Sequence, residues 1–256
     1  MRSILSLLTC LILANVVRAQ SSKPQTSAPL TITHLTGDLY IYTTYGDPGN
    51  GQPFPSNSLY VVTTDGIILL DTPWDTTQCQ PLLDSLETRH HQKPVFCLST
   101  HFHGDRTAGI DFLKKHGVAT WSSEQTSALC LQKGEPRAEH VFTKDTVFDI
   151  GGYSFRAMYP GEGHTKDNIV VWLEKEKVLY GGCFVKSTET ESLGNLSEAN
   201  TAAWPASVKK VMQAFPHPAY VIPGHLGWLD NTSLSHTLTL LDKYQRAHPS
   251  HAFIPQ

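Results

Sequence analysis

Charge is scarce in this chain of 256 residues: 17% are Asp, Glu, Lys or Arg, against 40% hydrophobic. With aromatics at 9%, that balance excludes a disordered chain, which needs high charge and few apolar side chains. Basic runs are missing as well. Lys and Arg number 20 against 23 Asp and Glu, a net charge of −3, so no phosphate-neutralising stripe exists and a nucleic-acid partner is excluded. Five cysteines are too few to scaffold a chain of this length with disulfides. No Gly-rich phosphate loop follows a strand, since Gly161-Glu162-Gly163 lacks the third glycine and the helix of a dinucleotide site. Histidine, by contrast, is plentiful at 13 residues, which raises the question of metal.

The one long apolar run stands at the start. Arg2 precedes Ile4–Val17, interrupted by Ser6, Thr9 and Asn15, and Val17-Arg18-Ala19 offers a cleavage site before Gln20. The run is too short for a membrane anchor and has the form of an export signal over residues 1–19. A buried N-terminal helix is the alternative; a lipid anchor on Cys10 is disfavoured because Thr9 precedes it and the apolar run continues past it. Cleavage removes Arg2 and Arg18 and no acid, so 18 basic residues face 23 acidic ones and the net charge becomes −5. The remaining residues 20–256 retain Cys79, Cys97, Cys130 and Cys183, enough for two disulfides in an exported protein.

Ser21–Ala28 reads as a polar tail. Strands are expected at Leu30–His34, Asp38–Thr44, Leu59–Thr63 and Gly66–Leu70, with Tyr45–Ser58 a mobile Gly/Pro loop carrying Phe54 near its tip. Alternation follows: helix Thr76–His91, strand Val95–Ser99, helix Thr107–His116, strand Ala119–Trp121, helix Ser123–Leu131. Strand-like segments then resume at Val147–Pro160, Asn168–Leu173 and Val178–Gly181. Helix Ala202–Ala214, strand Ala219–Ile222 and helix Ser233–Arg246 close the chain. That order fits a mixed α/β architecture with two sheets between helices better than an open doubly wound sheet.

Thr100-His101-Phe102-His103-Gly104-Asp105-Arg106 follows the Val95–Ser99 strand directly. His101 and His103 can face one cation while Asp105 turns toward a second, and imidazole with carboxylate suits zinc. A lone His-x-His also arises by chance. Three more segments carry a ligand-type residue at a strand end or Gly-rich loop: Gly163-His164-Thr165, Gly181-Gly182-Cys183 and Pro223-Gly224-His225. Singly, Cys183 reads equally as a disulfide or an inert thiol and His225 as a capped loop; four such segments together favour metal. Asp71, after four apolar residues in Asp-Thr-Pro-Trp, is expected to be buried, with partners supporting the metal loop.

This set resembles the metallo-β-lactamase superfamily, and more closely the class B β-lactamases of the first subclass. The superfamily pattern His-x-His-x-Asp stands here as HFHGDR. Arg106 occupies the position where glyoxalase-like hydrolases have histidine, His101 is intact where a further subclass has asparagine, and Cys183 replaces the bridging aspartate of thioesterase-like members. The resemblance implies an αβ/βα four-layer sandwich, with two mixed β-sheets face to face and helices on the outer faces. It implies two zinc ions, one on His101, His103 and His164 and one on Asp105, Cys183 and His225. A hydroxide held between them would attack the β-lactam carbonyl, with Asp105 orienting it.

By the same resemblance, Lys186 pairs with the substrate carboxylate, Asn195 faces the lactam oxygen, Phe54 offers an apolar contact, and Arg106 backs Asp105 and Cys183. As a solvated surface charge and a turn residue, Lys186 and Asn195 have plainer readings too. The implied protein is a monomeric periplasmic enzyme, free of the membrane after signal cleavage, that confers antibiotic resistance by hydrolysing penicillins, cephalosporins and carbapenems. The rivals are a thioesterase or lactonase on the same fold, disfavoured by Arg106 and Cys183, and a non-catalytic zinc-binding protein. One departure stands out: Gly224-His225-Leu226-Gly227 puts leucine where many relatives have glycine, which is expected to narrow the floor of the site. The remaining histidines, among them His90, His91, His248 and His251, are expected at the surface.

Overall fold

Side chains that alternate between two apolar surroundings dictate this architecture. In the computed structural model, which describes residues 30–249, twelve strands form two sheets. The expected export signal at 1–19 and polar tail at 21–28 lie outside those residues, as does His251. The first sheet runs β1 (Thr31–Thr36), β2 (Leu39–Gly46), β3 (Phe54–Val62), β4 (Ile67–Leu70), β5 (Pro94–Ser99), β6 (Ala119–Ser123) and β7 (His140–Phe142), in that spatial order. Neighbours are antiparallel through β4 and parallel from there to β7. The second sheet is ordered β12 (Tyr220–Pro223), β11 (Val178–Gly182), β10 (Val170–Leu173), β9 (Tyr153–Met158) and β8 (Thr146–Ile150). Only its β11–β12 pair is parallel. Both sheets are therefore mixed.

Period-two side-chain direction separates the layers. Leu39 and Ile41 of β2, Ile68 and Leu70 of β4, Val171 and Leu173 of β10 and Val178 and Tyr180 of β11 meet in one cluster between the sheets. Their alternates face outward. Tyr42, Ile67 and Leu69 pack with Leu82 and Leu86 of α1 (Cys79–His90) and Leu113 of α3 (Ile110–Lys115). On the other outer face, Val170, Trp172 and Leu179 pack with Val208 and Val211 of α5 (Trp204–Ala214) and Leu240 and Leu241 of α6 (Ser233–Ala247). Helix, sheet, sheet and helix give the four-layer α/β sandwich that the resemblance implied. Two short helices, α2 (Gly104–Thr107) and α4 (Glu124–Lys133), complete the set.

The Gly/Pro segment differs from expectation. β2 runs on to Gly46 and β3 begins at Phe54, so the loop spans only 47–53 and Phe54 sits at its base, paired with Gly46, rather than near its tip. Proline is tolerated here because β4 pairs with β3 only from Leu59 onward. Pro55 lies beyond that pairing, so its missing N–H costs no bond there. The three-residue β7 was not expected, being too short to show a period. Cys79, Cys97, Cys130 and Cys183 are all buried and free. Among the described residues, no helix is long and apolar enough to cross a membrane.

Candidate metal centre

Each candidate ligand arrives where a strand or its loop ends at the same rim of the sandwich. β5 leads into Thr100 to Arg106, β11 into Cys183, β12 into His225, and His164 lies in the loop before β10. Backbone bonds stitch the two sheets together there: Ile169 N–H donates to Thr100 O at 2.9 Å and Asn57 N–H to Gly224 O at 2.8 Å.

His101, His103 and His164 offer ring nitrogens that lie within 4.8 Å of one another, and His101, Asp105 and Cys183 form a second such group. His101 thus stands between the two. His101 Nε2 and His103 Nδ1 are 3.1 Å apart. Cys183 Sγ lies 3.2 Å from Asp105 Oδ2 and 3.1 Å from His225 Nε2, and His225 Nε2 is 3.3 Å from Asp105 Oδ2. The structure therefore brings together all six expected ligands.

Electrostatics suit a cation. Burial holds the pKa values of His101, His103 and His164 below the ordinary imidazole value, with neighbouring positive groups adding to it. Neutral rings keep a lone pair free for a metal. His164 Nδ1 is buried with no hydrogen-bond partner among the described residues. Burial opposes charge on Asp105 too, but Arg106 and His225 outweigh it and hold the carboxyl well below its usual range. At His225, burial is outweighed by Cys183 and Asp105, which raise its pKa to about 9. A proton on His225 therefore sits where a divalent ion would balance the same sulfur and carboxylate. Nitrogen, sulfur and one carboxylate in two adjoining groups fit zinc.

The support beneath these ligands is buried and charged. Asp71 directly follows β4 with φ of 69°, a left-handed backbone that costs a non-glycine residue free energy. Its carboxylate accepts from Thr100 N–H at 2.6 Å, Thr100 Oγ1 at 2.9 Å and Tyr180 Oη at 2.6 Å. Those bonds fix the residue just before His101. Burial nevertheless raises the Asp71 pKa to about 6 against the pull of Arg106 and its donors. Arg106, fully buried, donates from Nη1 to Asn57 O at 2.7 Å and from Nη2 to Gly224 O at 2.9 Å and Cys183 Sγ at 3.0 Å. A Cβ on Gly224 would fall 2.7 Å from that guanidinium and 2.6 Å from Cys183 N, so only glycine leaves room for arginine to reach the sulfur.

Around the ligands, Phe54 and Trp74 flank the His225 ring at centroid distances of 5.2 and 5.7 Å. Lys186 is 8% exposed. Asn195 is exposed, and its Oδ1 accepts from Ser197 N–H at 3.0 Å, which matches its reading as a turn residue and leaves the amide NH₂ group for other partners. Leu226 takes φ of 63° and its carbonyl accepts from Asn57 Nδ2 at 2.7 Å.

Sequence reasoning passed over Trp74, Asn57 and Tyr180. Trp74 lies in the quoted Asp-Thr-Pro-Trp segment, and a lone asparagine in the Phe54–Val62 strand is the kind of buried polar residue that needs partners. Tyr180, inside an apolar strand, carried no signal.

The comparisons with known proteins agree with this geometry. Residues 51–225 match the family model described as "Metallo-beta-lactamase superfamily". The chain is 36% identical over 236 residues to "Metallo-beta-lactamase type 2" of Elizabethkingia meningoseptica, covering 92% of this chain and 94% of that protein. It is 36% identical over 209 residues to "Metallo-beta-lactamase IND-1" of Chryseobacterium indologenes, covering 82% and 87%. Among solved structures, a metallo-β-lactamase from Pontibacter korlensis superposes with a TM-score of 0.80 at 36% identity, covering 84% of this chain and 99% of that one.

Proposed function

The chain belongs to the metallo-β-lactamase superfamily, and we propose that it is an exported di-zinc enzyme that hydrolyses penicillins, cephalosporins and carbapenems. It is a β-lactam hydrolase. The observation that carries the finer reading is the pair of adjoining donor groups, His101/His103/His164 and Asp105/Cys183/His225. Each would hold one zinc. Bound zinc supplies Lewis acidity and a water acidified toward a pKa of about 7.

The chain's own residues do the rest. Asp105, ionised and wedged between Arg106 and His225, orients the attacking water. Lys186 anchors the substrate carboxylate, and the free Nδ2 donors of Asn195 face the lactam oxygen. Phe54 and Trp74 form the apolar wall beside His225. No side chain of the chain becomes acylated, so inhibitors that trap a serine nucleophile have nothing to react with. Export follows from residues 1–19, with the periplasm as destination and antibiotic resistance as the consequence.

Purified, zinc-loaded protein is assayed against one member of each drug class and against a thioester. Hydrolysis of the β-lactams that is abolished by a chelator and restored by zinc, with about two zinc ions per chain by elemental analysis, is expected. Turnover of the thioester alone would replace this reading with a thioesterase. Zinc uptake with no hydrolysis of anything would leave a binding protein. An Asp105→Ala variant with full activity would remove Asp105 from the proposed mechanism.

A further inference from the structure

Lys186 is held in an unusual way for a buried cation. Among the described residues its ammonium makes no ion pair with a carboxylate. Instead Nζ lies over the ring of Trp204, 5.3 Å from its centroid. Trp204 opens α5 and is fully buried. Its Nε1–H donates to Phe184 O at 3.0 Å, which sets the rotation of the indole. Its ring also stands 6.0 Å from that of His164.

The backbone around Trp204 is tied to the same loop. Asn200 accepts from Trp204 N–H through its carbonyl at 3.0 Å, while its own N–H donates to Gly163 O at 2.8 Å. Asn200 Nδ2 donates to Glu162 Oε2 at 2.7 Å. A Cβ on Gly163 would lie 2.9 Å from the indole and 2.7 Å from Phe184, so the loop presses directly on the ring. Any buried tryptophan needs a partner for its N–H, so the fixed indole rotation suits a core residue as well; the cation over its face is what a core role does not call for.

We propose that Trp204 is a positioning residue of the substrate-carboxylate site, its indole face holding the Lys186 ammonium aimed into the cleft without neutralising it. A carboxylate in that place would hold the lysine as well but would compete with the substrate's own carboxylate. An aromatic face attracts the cation by its quadrupole and leaves the full charge for the ligand. This inference rests on the reading of Lys186 as the carboxylate anchor.

The test replaces Trp204 site-specifically by tryptophans of increasing ring fluorination, which keep shape while weakening the face potential, and adds Trp204→Leu in wild-type and Lys186→Ala backgrounds. Steady-state kinetics are read with a cephalosporin and with its carboxylate methyl ester, and zinc content and Tm are measured alongside. KM for the free acid is expected to rise stepwise with fluorination, reaching roughly three- to ten-fold for Trp204→Leu, with kcat and zinc content nearly unchanged. KM for the ester should stay flat, and Trp204→Leu should add nothing once Lys186 is gone.

A flat fluorination series, or equal effects of Trp204→Leu with and without Lys186, would overturn the proposal and leave Trp204 a core residue. If Trp204→Leu does not accumulate, the fluorinated series decides alone. If Lys186→Ala itself leaves KM for the free acid unchanged, it is the carboxylate-anchor reading that fails.

Discussion

Arg106 Nη2 donates to Cys183 Sγ across 3.0 Å while lying 3.0 Å from Asp105 Oδ2, so one guanidinium serves two candidate ligands of the same metal position. Its other terminal nitrogen, Nη1, reaches Asp71 Oδ2 at 3.4 Å. Arg106→Met keeps bulk and removes the charge, leaving two buried carboxylates without their shared cation. Breaking a buried pair by removing one partner typically costs about 3–5 kcal/mol. The urea midpoint of the metal-free protein should fall accordingly. Loss of a residue that supports metal ligands weakens affinity by roughly 10- to 100-fold, read here by chelator competition. An Arg106→Met protein with wild-type midpoint and zinc affinity would show that Arg106 supports neither.

The free thiols should differ sharply in reactivity. Burial pushes Cys79 and Cys130 up to about 12, each helped by a nearby carboxylate, and burial likewise raises Cys97 well above an ordinary thiol. The thiolate is the reactive form, so at pH 8 only about one part in ten thousand of Cys79 or Cys130 is competent. That fraction grows about tenfold per pH unit up to the shifted pKa. Folded protein treated with iodoacetamide at pH 8 should therefore stay unmodified at Cys79, Cys97 and Cys130. Once a chelator has removed zinc, Cys183 should label first. Peptide mapping that found Cys130 modified before Cys183 in the folded protein would contradict this order.

Local chemistry was legible in the sequence, and long-range packing was not. His101, His103 and Asp105 share one strand-to-loop junction, so spacing alone placed them together. His164, Cys183 and His225 needed the resemblance as well, because only the packing of the second sheet on the first brings the ends of β11 and β12 and the loop before β10 to β5's exit. Tyr180 and Asn57 show the limit. Tyr180 Oη meets Asp71 from 109 positions away, and Asn57 Nδ2 reaches Leu226 O across 169. No local period encodes either contact. In β4, Ile67 to Leu70 are all buried, so composition hides which face meets the second sheet. Phe54 is expected near the loop's tip because Gly and Pro density reads as loop, yet it falls at the base, and Pro55 sits in β3 where no β4 residue pairs with it.

Asn195 is expected to contribute modestly. Its Oδ1 is committed to Ser197 N–H at 3.0 Å, so only the exposed Nδ2 donors are available to a substrate. Asn195→Ala should lower kcat/KM by less than roughly tenfold, below the 10²–10³ in kcat that a preorganised oxyanion donor carries. Lys186→Ala, by contrast, should act mainly on KM for carboxylate-bearing substrates. A hundredfold fall in kcat for Asn195→Ala would make it a principal stabiliser of the developing oxyanion.

Leu226 is where sequence departure and backbone strain coincide. Its φ of 63° lies in the left-handed region, which costs an L-residue roughly 1–2 kcal/mol that glycine escapes. Asn57 Nδ2, donating at 2.7 Å to Leu226 O and at 3.2 Å to Pro223 O, clamps the strained turn beside His225. Glycine loses more freedom on folding, by roughly 0.5–1 kcal/mol, so Leu226→Gly should stabilise the protein by about 0 to 1.5 kcal/mol. Leu226→Val should go the other way, because a β-branched side chain fits positive φ worst. Thermal unfolding of the three proteins should give the order Gly, Leu, Val, with zinc content unchanged because the candidate ligand His225 keeps its Nδ1 contact to Pro55 O. Equal losses for glycine and valine would instead mean that the half-buried leucine side chain and not its backbone angle sets the stability of this turn.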